Sequence, residues 1–110
     1  MALATFFIDY NSDEFSVNDV ENLSIYKVYK CSNKNKNYLR ITVTTSNNEE
    51  DILVDTENVK VNKKQIGDFE YNYIIRNGIV QVYYFKNNIL YNIESDISLD
   101  KVFDEIEKIK

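Results

Sequence analysis

The sequence predicts an α+β domain: a curved antiparallel β-sheet of about six strands, arranged as a meander, with a C-terminal amphipathic helix packed on one face. Two observations predict this class. Short segments alternate between apolar and polar residues with turn sequences between them, and residues 96–110 place apolar side chains at helical spacing. A length of 110 residues suits a single domain with one hydrophobic core, spanning residues 1–110.

The N-terminal half supplies the less regular strands of the prediction. Leu39, Ile41 and Val43 alternate with polar residues, which is typical of a half-buried strand. The polar sequence SNKNKN is predicted to connect two strands, and SNNEED to form a loop. The strands predicted in this half cover residues 6–10, 25–31, 38–45 and 59–61.

Two tight turns predict a three-stranded meander over residues 68–93. Asn77–Gly78 is the strongest two-residue hairpin sequence, because both residues accept a positive φ, and Asn87–Asn88 provides a second turn. Both turns sort the side chains onto the same two faces, and this agreement supports both strand registers. The face predicted to be buried carries Phe69, Tyr71, Tyr73, Ile75, Val80, Val82, Tyr84, Tyr91 and Ile93.

The C-terminal sequence DISLDKVFDEIEKIK predicts an amphipathic helix. Ser98 is a suitable N-cap residue. We expect the apolar stripe of this helix to pack on the buried face of the meander. The stripe consists of Leu99, Val102, Phe103, Ile106 and Ile109.

Composition excludes several kinds of site. The net charge of −5 disfavours nucleic-acid phosphates as partners, and the absence of histidine removes the usual general base and imidazole metal ligand. Cys31 is the one cysteine, so there is no internal disulfide. The acidic sequence EEDILVDTE lacks the spacing and the glycine of an EF-hand and is predicted to be a solvated loop, with a weak cation site as the alternative. We therefore predict no catalytic, cofactor-binding or metal-binding residue, and no enzyme.

One candidate binding patch lies on the predicted meander. Ile79, Tyr83, Phe85 and Leu90 point away from the face predicted to be buried. Two interpretations remain open. Either the N-terminal ALATFF or the loop around residues 15–23 covers the patch, or it is a concave surface for a partner or an acyl chain.

A second candidate surface is basic. Residues 27–40 contain no acidic residue. The stretch is either an ordinary solvated strand and loop, or a contact for an anionic surface such as lipid headgroups or wall polymers. Its basic residues are Lys27, Lys30, Lys34, Lys36 and Arg40.

The sequence from Asp55 onward resembles the family called domain of unknown function 4367. Members end in a hairpin with an aromatic residue, a polar turn, a tyrosine and a short helix, which here read VQVYYFKNNILYNIESDISLDKVFDEI. The family usually has tryptophan at the position of Tyr84, and Tyr91 matches the later tyrosine. The opening FFIDYNSDEFSV also resembles the family's start, without the proline that is frequent there. This is a packing motif, and it carries over no catalytic residue.

The resemblance implies an extracytoplasmic domain of Gram-positive bacteria, held behind a single membrane anchor, with a sheet of the lipoprotein-carrier type. We expect a noncatalytic binding, sensory or interaction domain for a protein or an amphiphilic ligand. Peripheral contact with membrane or cell wall and weak homodimerisation are further expected associations. The alternative is a small soluble acidic inhibitor, of the immunity type or encoded by a phage, that masks a basic site on a protein. A chain complete as given would then be cytoplasmic.

Overall fold

The computed structural model describes residues 8–23, 26–45 and 60–109. Within these residues the chain forms seven strands of one open antiparallel sheet and one helix, which confirms the predicted α+β class. The elements are β1 (Ser16–Asn22), β2 (Tyr26–Ser32), β3 (Tyr38–Thr45), β4 (Asn62–Ile66), β5 (Phe69–Arg76), β6 (Ile79–Lys86), β7 (Ile89–Ser95) and α1 (Leu99–Ile106).

The strand order is β1-β2-β3-β7-β6-β5-β4. Two meanders, β1–β3 and β4–β7, therefore meet where β3 pairs with β7. The structure corrects two details of the prediction: the sheet has seven strands instead of about six, and it is not one continuous meander. Turn sequences report only on strands that are neighbours in the chain, so they could not reveal the pairing of β3 with β7.

The strands of the N-terminal half agree in part with the prediction. Strand β3 matches its predicted range, and β2 ends one residue later than expected. The predicted strand over residues 6–10 is wrong for its described part, where Tyr10 forms an isolated bridge with Ile109. Residues 60 and 61 likewise lie outside any strand, and β4 begins at Asn62. The SNNEED and EEDILVDTE segments lie outside the described residues.

Strand β1 was not predicted, and a β-bulge explains why. The register with β2 shifts between Val17 and Asp19, so Asn18 is an extra residue on β1. An extra residue breaks the two-residue alternation of apolar and polar side chains by which a strand is recognised. The sequence SVNDVEN therefore resembles a loop although it pairs along its length.

The meander of β5, β6 and β7 confirms the predicted turns and registers. Asn77 and Gly78 have φ values of 53° and 78°, and Asn87 and Asn88 have φ values of 54° and 63°. These positive values are those that two-residue hairpin turns require. Tyr84 lies opposite Tyr91, and their rings stack with centroids 4.7 Å apart.

The main core lies between one face of the sheet, which we call the core face, and α1. The ring of Phe103 meets the rings of Tyr71 and Tyr73 edge-on, at centroid distances of 5.5 and 6.2 Å. This confirms that the helix packs on the face predicted to be buried. Phe69 and Ile75 were also predicted there, but they are exposed. Both lie near the ends of β5, and a helix of eight residues covers only about 12 Å of the sheet.

The helix begins as predicted. Ser98 is the N-cap, but its side chain makes no capping hydrogen bond. Its carbonyl accepts the first helical hydrogen bond, from the N–H of Val102 at 3.0 Å. Within the described residues no helix has the length and apolar character needed to cross a membrane.

Candidate functional site

A buried carboxylate fixes the segment that leads into the sheet. We call residues 8–15 the N-terminal arm. Oε1 of Glu105, on α1, accepts hydrogen bonds from the hydroxyls of Tyr10 and Ser12, each at 2.6 Å. Nζ of Lys108 donates to Oε2 at 2.8 Å. Oγ of Ser12 also accepts the backbone N–H of Phe15 at 3.1 Å, which directs that ring into the core.

The electrostatics of this group favour a charged Glu105. Burial alone raises a carboxyl pKa, but the donors Lys108, Ser12 and Tyr10 outweigh it, and the pKa of Glu105 lies below its ordinary value. The pKa values of two of its donors are raised instead. Burial and the bond to Glu105 raise the pKa of Tyr10, and the bond to Glu105 raises the pKa of Lys108. At neutral pH the group is therefore an ionised carboxylate held by protonated donors.

The loop between β2 and β3 is fixed by asparagine side chains. Oδ1 of Asn33 accepts the backbone N–H groups of Asn35 and Asn37, at 3.0 and 2.9 Å. Nδ2 of Asn33 donates to Glu14 of the arm at 3.1 Å. On the other side Oδ1 of Asp96 accepts from the side chain of Asn37 at 3.3 Å. These bonds hold the loop between the arm and the start of the helix.

The arm, the 33–37 loop and α1 enclose a cleft of about 250 Å³, which we call the polar cleft. Amide, ammonium and carboxylate groups surround the apolar side chains of Phe15 and Ile97. A second concavity, of about 390 Å³, shares Glu14 and Asn33 with it. The polar cleft is lined by Glu14, Phe15, Asn33, Asn35, Asn37, Ile97, Lys101, Asp104, Glu105 and Lys108.

A family model described as a domain of unknown function matches residues 6–109. The chain belongs to the DUF4367 family. No curated protein and no solved structure matches it. Tyr84 and Tyr91, which carried the resemblance in the sequence, are buried and stacked in this DUF4367 domain. The motif residues therefore contribute to packing, whereas the polar cleft is built from the arm, the loop and the helix.

The predicted binding patch lies on the outer face of this DUF4367 domain, opposite the core face. Phe85 pairs directly with Leu90, as predicted. Tyr83 and Leu90 are buried, however, and Ile79 and Phe85 are only partly exposed. Ile74 on the neighbouring strand is buried on the same face, and these residues do not belong to the main core.

The residues that could cover this patch were predicted in two places. Phe15 packs in the main core on the opposite face, and residues 16–22 form the edge strand β1, which β2, β3 and β7 separate from β6. The loop around residues 15–23 therefore does not cover the patch. The ALATFF segment lies outside the described residues. A binding role for the patch stays a prediction.

The five basic residues do not share one face. Lys30 lies opposite Arg40 on the outer face, where Lys30 pairs with Glu21 and Arg40 pairs with Glu94. Lys27 is on the core face, with Nζ 5.7 Å from the ring centroid of Tyr29. The remaining two, Lys34 and Lys36, are exposed on the loop between β2 and β3. Contact with an anionic surface also stays a prediction.

Sequence reasoning missed the residues that anchor the cleft. Glu105 stands at the border of the apolar stripe, three residues after Val102 and one before Ile106. A carboxylate at such a position requires buried partners. The partners Tyr10 and Ser12 were not predictable, because they lie 95 and 93 residues away in the chain. Within the described ranges, no three acidic or cysteine side chains are grouped so that they could hold a metal ion.

Proposed function

We propose that this DUF4367 domain is a noncatalytic binding or sensory domain of a membrane-anchored, extracytoplasmic bacterial protein, and that its partner is another protein. The observation that carries the proposal is the polar cleft. The side chains of Asn33 and Asn37 are held by hydrogen bonds before any ligand arrives, so binding does not have to order them. Preorganised polar groups around apolar contact area are the usual composition of a recognition site.

The mixed chemistry of the cleft favours a protein over an amphiphile. Lys101 and Lys108 supply ammonium groups, and Glu14 and Asp104 supply carboxylates on the same lining. A polar protein loop presents both kinds of complementary group, whereas an acyl chain would leave these charges desolvated without partners. The apolar patch around Phe85, which would suit an amphiphile, has two of its four side chains buried.

Two groups support a noncatalytic role. Burial and the nearby Glu105 raise the pKa of the Cys31 thiol to about 11, so it is not a nucleophile at neutral pH. Glu105 has a lowered pKa and three bonded donors, whereas a general acid or base near neutral pH needs a raised one. The charge of Glu105 is thus used to hold the arm to the helix.

The proposal is tested by site-specific photocrosslinking in the native cells. A benzoylphenylalanine is placed at Lys101, on the exposed rim of the cleft, and for comparison at Asp68, in the exposed turn between β4 and β5. We expect a discrete protein adduct from position 101 and none from position 68. Equal labelling from both positions, or no adduct from position 101, contradicts a protein partner in the cleft.

A second measurement separates the cleft from the apolar patch. Phe85→Ser removes a partly buried aromatic side chain, so we expect a lower melting temperature but an unchanged adduct at position 101. Loss of that adduct, or loss of fatty-acid uptake with an unchanged melting temperature, would assign the binding site to the patch instead.

A second candidate function is that of an acidic antagonist of a basic protein site. The specific observation in its favour is the exposed acidic character of the arm and β1, which carry Asp13, Glu14 and Asp19 in a chain of net charge −5. Protease added to intact, wall-stripped cells distinguishes the two functions. An extracytoplasmic domain is cleaved, and an antagonist of a cytoplasmic target is protected.

A further inference from the structure

Within the described residues, strand β1 forms one end of the sheet, and none of its residues lines the polar cleft. Every residue of Ser16–Asn22 except Glu21 is exposed, and in the described part of the chain β1 pairs only with β2. Large apolar side chains are exposed along this edge: Val17, Val20 and Leu23 are 41%, 43% and 50% exposed. An exposed strand edge with apolar side chains is a template for pairing with another chain.

The backbone of β1 shows which groups face outward. The N–H of Leu23 donates to the carbonyl of Tyr26 at 2.9 Å, so this pair is hydrogen-bonded. In an antiparallel ladder hydrogen-bonded and non-hydrogen-bonded pairs alternate. Val20 and Asn22 therefore belong to non-hydrogen-bonded pairs and direct their N–H and C=O groups to the free edge. The bulge at Asn18 limits regular pairing to the segment that follows it.

The side chains of this segment specify the chemistry of a partner strand. Asp19 and Glu21 lie on the outer face, and Val20 lies on the core face. Strand β2 already shows what complements this pattern: Lys30 sits opposite Asp19 and bonds Glu21, while Tyr29 sits opposite Val20. A strand added on the other side of β1 would also face carboxylates on the outer face and a valine on the core face. Opposite charges on facing strands stabilise the pair.

A second copy of β1 does not satisfy this pattern. Antiparallel pairing of two β1 edges centred on Val20 would place Asp19 of each copy opposite Glu21 of the other. Like charges directly opposite each other destabilise a sheet. We propose that the β1 edge takes an extended segment of another protein as an added strand, with basic side chains on the outer face and apolar side chains on the core face.

The test uses an end-capped peptide of alternating lysine and valine, titrated into the complete chain. We expect slower hydrogen exchange at the amides of Val20 and Asn22, with no change at Gln65 on the opposite edge strand. A peptide of the same sequence with every backbone nitrogen methylated keeps its charge but has no N–H group left to complete the ladder. It should bind at least about tenfold more weakly, a loss of about 1.4 kcal/mol.

Protein variants supply the matched controls. Val20→Pro removes an outward N–H, which an edge strand tolerates, and should weaken peptide binding while the circular dichroism spectrum is retained. If that variant fails to fold, Asp19→Asn replaces it and should weaken binding in a salt-dependent way. Asp68→Asn makes the same charge change at the far edge of the sheet and should have no effect.

Three results would overturn the proposal. Equal binding of the methylated peptide would show that charge alone drives the contact. Unchanged exchange at Val20 and Asn22 at saturating peptide would place the peptide elsewhere. Protection of these amides that grows with protein concentration, without peptide, would make a second copy of the chain the occupant.

Discussion

The two edge strands of the described sheet, β4 and β1, carry different side chains beside backbone groups that another strand could pair with. Strand β4 carries two positive charges, on Lys63 and Lys64. Nζ of Lys64 lies 4.7 Å from the ring centroid of Phe103 in the core. Strand β1 carries exposed valines and carboxylates, and its described pairing is to β2 alone. Lysines on an edge strand discourage further pairing, whereas exposed apolar side chains on an edge strand favour it.

The two edge strands also differ in what their side chains contact. Lys64 and Ile66 connect β4 to the helix side of the domain. Strand β1 instead depends on its pairing with β2 and on the arm that precedes it, which Glu105 holds.

Phe103→Ala should remove the support of the β4 edge. Phe103 is buried between α1 and the rings of Tyr71 and Tyr73, so its loss should cost about 3–5 kcal/mol of unfolding free energy. Chemical denaturation measures the loss. Phe69→Ala is the control, because Phe69 is an exposed phenylalanine near the same edge. A variant that unfolds like the wild type would mean that the helix is not docked here.

Ile74→Ala should show that the β4 side of the sheet is packed on both faces. Ile74 is 3% exposed on the outer face, and its neighbour Ile75 is 51% exposed on the core face. We expect a loss of about 2–5 kcal/mol for Ile74→Ala and a much smaller loss for Ile75→Ala. Thermal unfolding of the two variants side by side is sufficient. Equal losses would contradict a buried outer face.

Glu105→Gln should loosen the arm that leads into β1. We expect a loss of about 1.5–3 kcal/mol at neutral pH, because Lys108 loses its ionised partner. The pKa of Glu105 is lowered in the folded state, so its contribution is complete above the pKa of the unfolded chain, about 4.3. It disappears as the pH falls through the lower folded value.

The measurement for Glu105→Gln is urea denaturation of variant and wild type across this pH range. The difference between them should shrink with acidification. Glu107→Gln, which changes an exposed carboxylate directly after α1, should show no such convergence. A difference that stays constant in acid would mean that the carboxylate of Glu105 is not ionised in the folded protein.

Lys64→Ala and Lys63→Ala should separate two kinds of cationic contact on the β4 edge. Lys64 interacts with the buried ring of Phe103, and its loss should cost about 0.5–1 kcal/mol. Nζ of Lys63 lies 3.5 Å from Oε1 of Glu70 in an exposed ion pair. Such a pair contributes about 0–0.5 kcal/mol to the unfolding free energy. Equal melting temperatures for the two variants would contradict a larger contribution from the contact between Lys64 and Phe103.

Glu21→Gln on β1 should have the smallest effect on stability. Its ion pair with Lys30 is exposed on both sides, so the melting temperature should stay close to that of the wild type. Added salt should leave the difference between variant and wild type near zero. A clear loss of stability would show that the charges of β1 hold the sheet together and do not only face a partner.

How well each element was predicted depended on how far apart in the sequence its interacting residues lie. The β5–β7 meander followed from Asn77–Gly78 and Asn87–Asn88, because a positive φ in a two-residue turn determines which strands pair and in which register. Strand β4 was missed because an edge strand needs no apolar side, and its sequence NKKQI is largely polar. The pairing of β3 with β7 could not be predicted, because no turn sequence joins these two strands.

The candidate site was less predictable than the fold. The apolar patch and the basic stretch were visible as runs of residue types, but the sequence could not show that Tyr83 is buried or that Lys27 faces away from Lys30. The polar cleft needs three segments from opposite ends of the chain. Its one local indication was Glu105 at the border of an apolar stripe.

The bridge between Tyr10 and Ile109 brings the two ends of the described fold together. A chain that enters and leaves at one point can be permuted: a short linker can join the ends, and new termini can be opened in the exposed turn at Gly67–Asp68. The same geometry determines how tension passes through the domain. A pull applied at Tyr10 and Ile109 loads the contact between the arm and the helix before it reaches the strands.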